Sequence, residues 1–438
     1  MNNDLNLIRD DEICPCGSGL NFNKCCKLNI INSEKVSIEQ FKNNKHITNF
    51  LREEYKESNL LLCLHPKHNE CAGIIINAHS IQNNRILSKL AVKEHVMVID
   101  HVSEIRNTKK SFILTEEYIN NMISDSSESF SEQLKEQLAK VDKRELEKYY
   151  GRKFEYEIEQ AVLKYEVERK GKNKATVFTG FCKYHDSIVF SPIEDYDYND
   201  EMKQDFLFAY RAFSQEYHEK LRVLKGYRKI FKLNPGLYND TKFILDYRYR
   251  QLDEKYMNEL KTKFDQAIIN EDYDTFETIR IRLPKAYDFA VTAMISPEID
   301  LEGDVLSDRY LLKNSSCKSL YLTVFPNGCE TIVLMSWLKE DSIKFSNYGK
   351  QLIGLNESEL KCYLNNLIPT YTPNIVLSPR LWEKQSEKEK DKFLKSFEKG
   401  NQEIIYSQSE PIKLSEKRKE TLKTYDRFLC CTEYDLFR

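Results

Sequence analysis

Cysteine and histidine carry most of the chemistry this chain can offer, and both are clustered. Cys14-Pro15-Cys16 is followed after eight residues by Cys25-Cys26, a C-x-C-x8-C-C spacing that puts four thiols within thirteen positions. Zinc takes four thiolate or imidazole ligands in a tetrahedron, so this segment alone can satisfy one ion. Gly17 and Gly19 let the backbone bend sharply around a metal, and Pro15 stiffens the first turn. A segment this short has no core on which to fold, so metal binding supplies its folding energy. A second constellation lies downstream, where Cys63, His65, His68, Cys71 and His79 fall within residues 63–79. Cys182, His185 and Asp186 follow much later in the chain. Cys and His recurring in two separated clusters with ligand-like spacing point to a second zinc site shared between them.

The segments that must position these groups read as a mixture of helices and strands. Residues 33–57 are expected to form a helix capped by Ser33. Gly73-Ile-Ile-Ile is strand-like, and a helix is expected near 86–92. Residues 116–170 are charged, with the interleaved Glu and Lys of a solvated helix. Residues 175–194 return to strand-like, Cys- and His-bearing sequence. Two long helical patterns occupy 201–282, split at Asn234-Pro235-Gly236. Beyond residue 285, AYDFAVTAMIS, KSLYLTVF and CETIVLMSW read as strands, the last two joined in a hairpin at Pro326-Asn327-Gly328. Helical patterns follow at 357–367, 380–399 and 412–424.

Residues 14–26 closely resemble the SEC-C motif, CPCGSG…CC, found at the C-terminal tail of the preprotein translocase motor and as an appendage on many unrelated bacterial proteins. Many relatives have Cys-His where this chain has Cys25-Cys26. The resemblance implies zinc held by Cys14, Cys16, Cys25 and Cys26, and a docking role toward a protein partner. Residues 63–190 are similar to a treble-clef or HNH-type nuclease core that carries its own zinc. By position, that resemblance implies Cys63 and Cys71 as the first zinc pair and Cys182 and His185 as the second. It implies a strand at 74–77 ending at His79 as general base, and Asp186 as ligand of an active-site Mg²⁺ or Mn²⁺. Such a base and cation are what phosphodiester cleavage requires. Seven residues separate Cys63 from Cys71 where the family has two, so His65 or His68 is an alternative ligand. The insertion between the halves is long, and Ala175-Thr-Val-Phe-Thr-Gly-Phe181 offers no counterpart of the family's middle Asn. Two humbler roles compete for the site residues: His79 as a hydrogen-bonded residue at a helix start, and Asp186 as a helix N-cap.

The expected architecture is therefore α+β and multidomain. It comprises a SEC-C knuckle at 1–30, a zinc-stabilised treble-clef-like core at 31–200 with a helical insertion at about 101–174, a helical region at 201–284 and a C-terminal α+β domain at 285–438. The leading functional expectation is a metal-dependent HNH-like nuclease acting on DNA, with a role in defence as an analogy. The rival is a non-catalytic adaptor that docks through the knuckle.

Bulk properties narrow the field further. Across 438 residues the hydrophobic fraction is 41%, the charged fraction 31% and the formal net charge −3, so no global basic footprint advertises nucleic acid. No apolar run approaches the roughly 20 residues of a membrane span, and the polar, acidic N-terminus is not a signal peptide. A cytoplasmic location with reduced thiols is expected. Cys317, Cys329, Cys362, Cys430 and Cys431 read as small buried hydrophobes. Residues 206–231 interleave Phe and Tyr with Arg and Lys, which is the pattern either of an aromatic core face or of a nucleic-acid groove. Glu302, Asp304 and Asp308 lack a calcium-loop pattern. The phosphate-loop, dinucleotide and nucleophile-elbow motifs are all absent.

Overall fold

The computed structural model describes residues 8–28, 60–71, 73–113, 115–116, 144, 147–233, 238, 241–307, 318–407 and 434–438. The helices expected at 33–57 and 412–424, the turn at 234–236, and Cys317, Cys430 and Cys431 lie outside them. The fold is α+β. A small unit of two strands and a helix carries the second Cys/His cluster. Strand β1 (Ile75–His79) pairs antiparallel with β4 (Val177–Cys182), with Ile75 opposite Cys182 and His79 opposite Val177 and a bulge between Ile76 and Ala78. Helix α1 (Lys183–Glu194) follows directly, with Cys182 as its N-cap.

At both ends of the helical insertion expected at 101–174, the chain forms strands instead, while most of 114–146 lies outside the described residues. These are two 19-residue strands, β2 (His95–Ile113) and β3 (Lys153–Gly171), paired antiparallel from His95–Gly171 to Ile113–Lys153. The reason lies in the period. In KFEYEIE (153–159) and KYEVE (164–168) the aromatic and branched residues alternate with charges, which suits a pleated strand. In the resulting register Glu157 is the Cα partner of Lys109 and Glu166 that of Asp100. Most of EQLKEQLAKVDKRELEKYY is outside the described residues.

Among the described residues, the main sheet has seven antiparallel strands in the order β3-β2-β9-β6-β7-β8-β5, where β5 is Phe276–Leu283, β6 Phe289–Ile295, β7 Leu320–Asn327, β8 Glu330–Leu338 and β9 Ile375–Leu377. Strands from both sides of residue 285 share it, so the sheet is not closed within 285–438. β2 joins β9 through Met97–Leu377 and Val98–Val376, and β5 runs the full length of β8. The β7–β8 hairpin turns at Gly328, whose φ is +62°. Alternation along β7 and β8 buries both faces. Leu320, Leu322, Val324, Val333, Met335 and Trp337 enter one core, and Tyr321, Phe325, Ile332, Leu334 and Leu338 the other.

Helices α2 (Met202–Leu233) and α3 (Thr241–Asn270) cover the second of these faces and reach the β1–β4–α1 unit. Phe206, Phe208, Tyr210 and Phe213 of α2 are buried against Phe264, Phe276, Tyr321 and Phe325. The aromatic stripe is thus core and not the wall of a nucleic-acid groove. The other face is covered by α4 (Ser342–Ile353), α5 (Glu357–Tyr371), α6 (Pro379–Lys384) and α7 (Glu387–Ser407), with Tyr434, Leu436 and Phe437 packed among them. Two cysteines depart from the expected role of small buried hydrophobes. Cys329 is exposed in the hairpin turn, and buried Cys362 is disulfide-bonded. Among the described residues, no helix is long and apolar enough to cross a membrane.

Candidate metal centres

The N-terminal quartet is assembled by tight local turns. Cys14 N–H donates to Leu20 O at 2.8 Å and Gly17 N–H to Cys14 O at 3.1 Å. Gly17 and Gly19 take φ values of +78° and +77°, and a 3₁₀ turn at Phe22–Lys24 delivers Cys25 and Cys26. The four Sγ atoms lie within 4.8 Å of one another, with Cys16 and Cys25 at 3.6 Å and Cys25 and Cys26 at 3.9 Å. A tetrahedral ion with bonds of about 2.3 Å to sulfur and about 2.0 Å to nitrogen spaces its ligands about 3.6–3.8 Å apart, so the group has the dimensions of a zinc site. Burial, and then its thiol neighbours, push Cys26 well above the ordinary thiol range. Only a cation makes four clustered thiolates favourable, so metal entry here releases protons.

The second quartet joins segments far apart in the chain. Residues 60–64 run beside β4, where Leu62 N–H donates to Thr179 O and Leu64 N–H to Gly180 O at 2.9 Å, which brings in Cys63. A 3₁₀ turn at His68–Glu70 presents Cys71. Cys182 ends β4 and His185 lies in the first turn of α1. His185 Nδ1 is 3.4 Å from Cys63 Sγ, 3.6 Å from Cys71 Sγ and 3.3 Å from Cys182 Sγ, close to the tetrahedral spacing. Burial, followed by the Cys63 thiol, pushes Cys71 up to about 12. His65 and His68 are not in the cluster. His65 instead stacks on His185 with ring centroids 3.9 Å apart, and its Nδ1 accepts from Lys67 N–H.

His79 and Asp186 are outside this quartet: Asp186 follows His185 in α1, and His79 lies opposite Val177 at the other end of the β1–β4 pair. His79 is the last residue of β1 and its Nε2–H donates to Lys172 O at 3.2 Å. That bond sets the tautomer and leaves the Nδ1 lone pair as the basic atom. Burial holds the ring below its ordinary pKa, so it is neutral at pH 7. Asp186 is in the first turn of α1, not at its N-cap, and burial pushes its carboxyl up. Asp186, Phe190 and Glu194 are four residues apart and therefore share one face of α1. Along that face lies Arg211 of α2, 2% exposed, its guanidinium 4.1 Å over the Phe190 ring and hydrogen-bonded to Glu194. The charges of Arg211 and Glu194 act on His79 and, separately, on Asp186.

Asn83 Oδ1, Thr176 Oγ1, His185 Nε2, Asp186 Oδ1 and Arg211 Nε are among the buried side-chain atoms without a hydrogen-bond partner. Thr176, whose carbonyl accepts from Ser80 N–H, has φ of +55°, a strained value for a β-branched residue beside the partner of His79.

Arg211, Glu194, the Lys172 carbonyl and the Asn83–Asn173 side-chain hydrogen bond of 2.9 Å escaped sequence reading. A signal existed for Arg211 alone: one cation amid the apolar FLFAYRAF run needs a buried partner. Replacing Arg211 with Met is expected to cost about 3–5 kcal/mol in chemical denaturation, because it strands the Glu194 carboxylate. Lys at the same position should recover only part of this, lacking the planar fork. A loss below about 1 kcal/mol would mean the pair is not buried as described.

Asp300, Glu302 and Asp304 also converge, but Asp300 is already occupied. Its Oδ1 accepts from the backbone N–H groups of Glu302, Gly303 and Asp304, and its Oδ2 from Gln351. In comparisons with known proteins, no family model matches the chain, and neither a curated protein nor a solved structure matches it.

Proposed function

We propose that this chain is a zinc-containing, metal-dependent nuclease of the HNH type that cleaves phosphodiester bonds, DNA being the substrate to test first. The reading rests on His79 at the end of β1, with Nε2 tied to Lys172 O, and on Asp186 in the first turn of α1, both in the unit that carries the Cys₃His quartet. Zinc in both quartets suits their ligand types and spacing. The second quartet ties the start of α1, which carries Asp186, to the end of β4 and to the segment that leads into β1. A divalent cation bound at Asp186 supplies positive charge on the scissile phosphate.

The rest falls to the protein's own groups. His79 Nδ1 takes a proton from the attacking water as its oxygen bonds to phosphorus. The phosphorus–oxygen bond to the leaving group breaks, and that alkoxide takes a proton from solvent. Arg211, pinned between Phe190 and Glu194, holds the α1 face that carries Asp186. The test is cleavage of plasmid DNA with Mg²⁺ or Mn²⁺ by the wild type and by His79→Ala.

A pH profile gives a second check. Burial favours neutral imidazole, so the base form persists below the ordinary His value of about 6.5. The acid limb of kcat is therefore expected below pH 6.5, and it should be absent from the residual rate of His79→Ala. The stability sign agrees. A His with a depressed folded pKa contributes stability that is present above its unfolded pKa and lost as pH falls through the folded value. An acid limb above pH 7 would contradict the assignment of His79.

The adaptor reading draws on Ile13 and Leu20, apolar and more than half exposed on the knuckle. It has less support, because the knuckle's buried face is taken by the chain's own helices.

A further inference from the structure

The N-terminal quartet is not self-contained. Cys14 and Cys26 are 2% and 4% exposed, and much of their cover comes from outside the knuckle: Leu224 and Phe231 of α2, Tyr238, and Ile244 and Tyr247 of α3. The Tyr238 hydroxyl lies 3.5 Å from Cys14 Sγ, and its ring is 4.8 Å from Phe22 of the knuckle and 4.7 Å from Phe231. Backbones also approach closely. A Cβ at Gly17 would sit 3.3 Å from Cδ of Arg228, which in turn bridges to Glu254 of α3 at 3.2 Å.

A zinc ion with four thiolates carries two net negative charges. Setting one side of that centre against apolar helices is unfavourable unless donors face the sulfurs. On the solvent side Ser18 Oγ is 3.2 Å from Cys25 Sγ. On the buried side Tyr238 supplies an O–H, a donor that stays protonated at neutral pH. The donor is thus supplied by the end of the helical hairpin.

We propose that the first metal site extends to Tyr238, which is its outer-sphere hydrogen-bond donor, and that the bound zinc clasps the N-terminal knuckle onto the end of the α2–α3 hairpin. This rests on the reading of the first quartet as a zinc site. The partner of the knuckle is then the chain's own hairpin. Loss of the ion removes both the charge that Tyr238 satisfies and the folding energy of the segment that shields Phe231 and Tyr247.

The test uses the full chain with zinc content measured. Tyr238→Phe keeps the ring and removes only the donor. It is expected to release one of two zinc equivalents to a colorimetric chelator about 10–100-fold faster than wild type, with the second equivalent unchanged. Cys14→Ser with Cys16→Ser should lose one equivalent and raise amide hydrogen exchange across 224–233 and 241–250, leaving 177–194 protected. Wild-type release rates in Tyr238→Phe, or unchanged exchange in the hairpin after the first zinc is lost, would overturn the clasp. Zinc content unaltered by the double cysteine change would overturn the zinc reading of the first quartet itself, and the clasp with it.

Discussion

His79→Ala should lower divalent-cation-dependent cleavage of plasmid DNA by about 10²–10⁴-fold, the range expected when a positioned general base is removed. The change deletes one hydrogen bond, to Lys172 O, from a half-buried ring, so the cost in stability should be small beside the loss of rate. Zinc content should stay at two equivalents, because His79 belongs to neither quartet. Asp186→Asn should produce a loss of similar size that higher Mg²⁺ or Mn²⁺ partly offsets, since it weakens a cation ligand and leaves the base in place. His79→Ala should not respond to added cation, and that difference separates the two roles. Equal nicking by wild type and His79→Ala, or none by either, would remove the nuclease reading.

Cys182→Ser should disassemble the β1–β4–α1 unit. Cys182 is fully buried at the junction of β4 and α1, and its Sγ lies 3.3 Å from His185 Nδ1. Structural zinc supplies about 10–16 kcal/mol of apparent binding free energy in small zinc-folded peptides, and a whole domain is stable by about 5–15 kcal/mol. Losing even a fraction of the former is expected to unfold the unit locally. The measurable outcome is one zinc equivalent instead of two, loss of amide protection across 75–79 and 177–194, and loss of cleavage. Cys329→Ser, at an exposed thiol in the β7–β8 turn, should change none of these and serves as the control. Retention of two zinc equivalents by Cys182→Ser would exclude this quartet as a zinc site.

The features legible in the sequence share one property: their determinants are local. The four knuckle thiols lie within thirteen residues, and the glycines that let them converge lie between them. The β7–β8 hairpin announces itself through alternation and a Pro-Asn-Gly turn. Residues 95–113 and 153–171 failed the same reading because the deciding partner of each lies across an intervening segment. The choice among Cys71, His65 and His68 was equally beyond local pattern. It depends on which atoms come within about 3.6 Å of His185, a residue more than a hundred positions away.

The sequence by itself determined the ligand types, the likeness to two zinc-bearing motifs and the mixed α+β class, because residue chemistry and short-range periodicity are written along the chain. Tertiary structure alone decided that β2 and β3 complete the main sheet, that Arg211 of α2 is buried over Phe190 and bonded to Glu194 of α1, and that the knuckle rests on Tyr238. Each of these depends on backbone pairing or side-chain burial between segments distant in the chain, and the free energy of such contacts exists only once the intervening residues have folded.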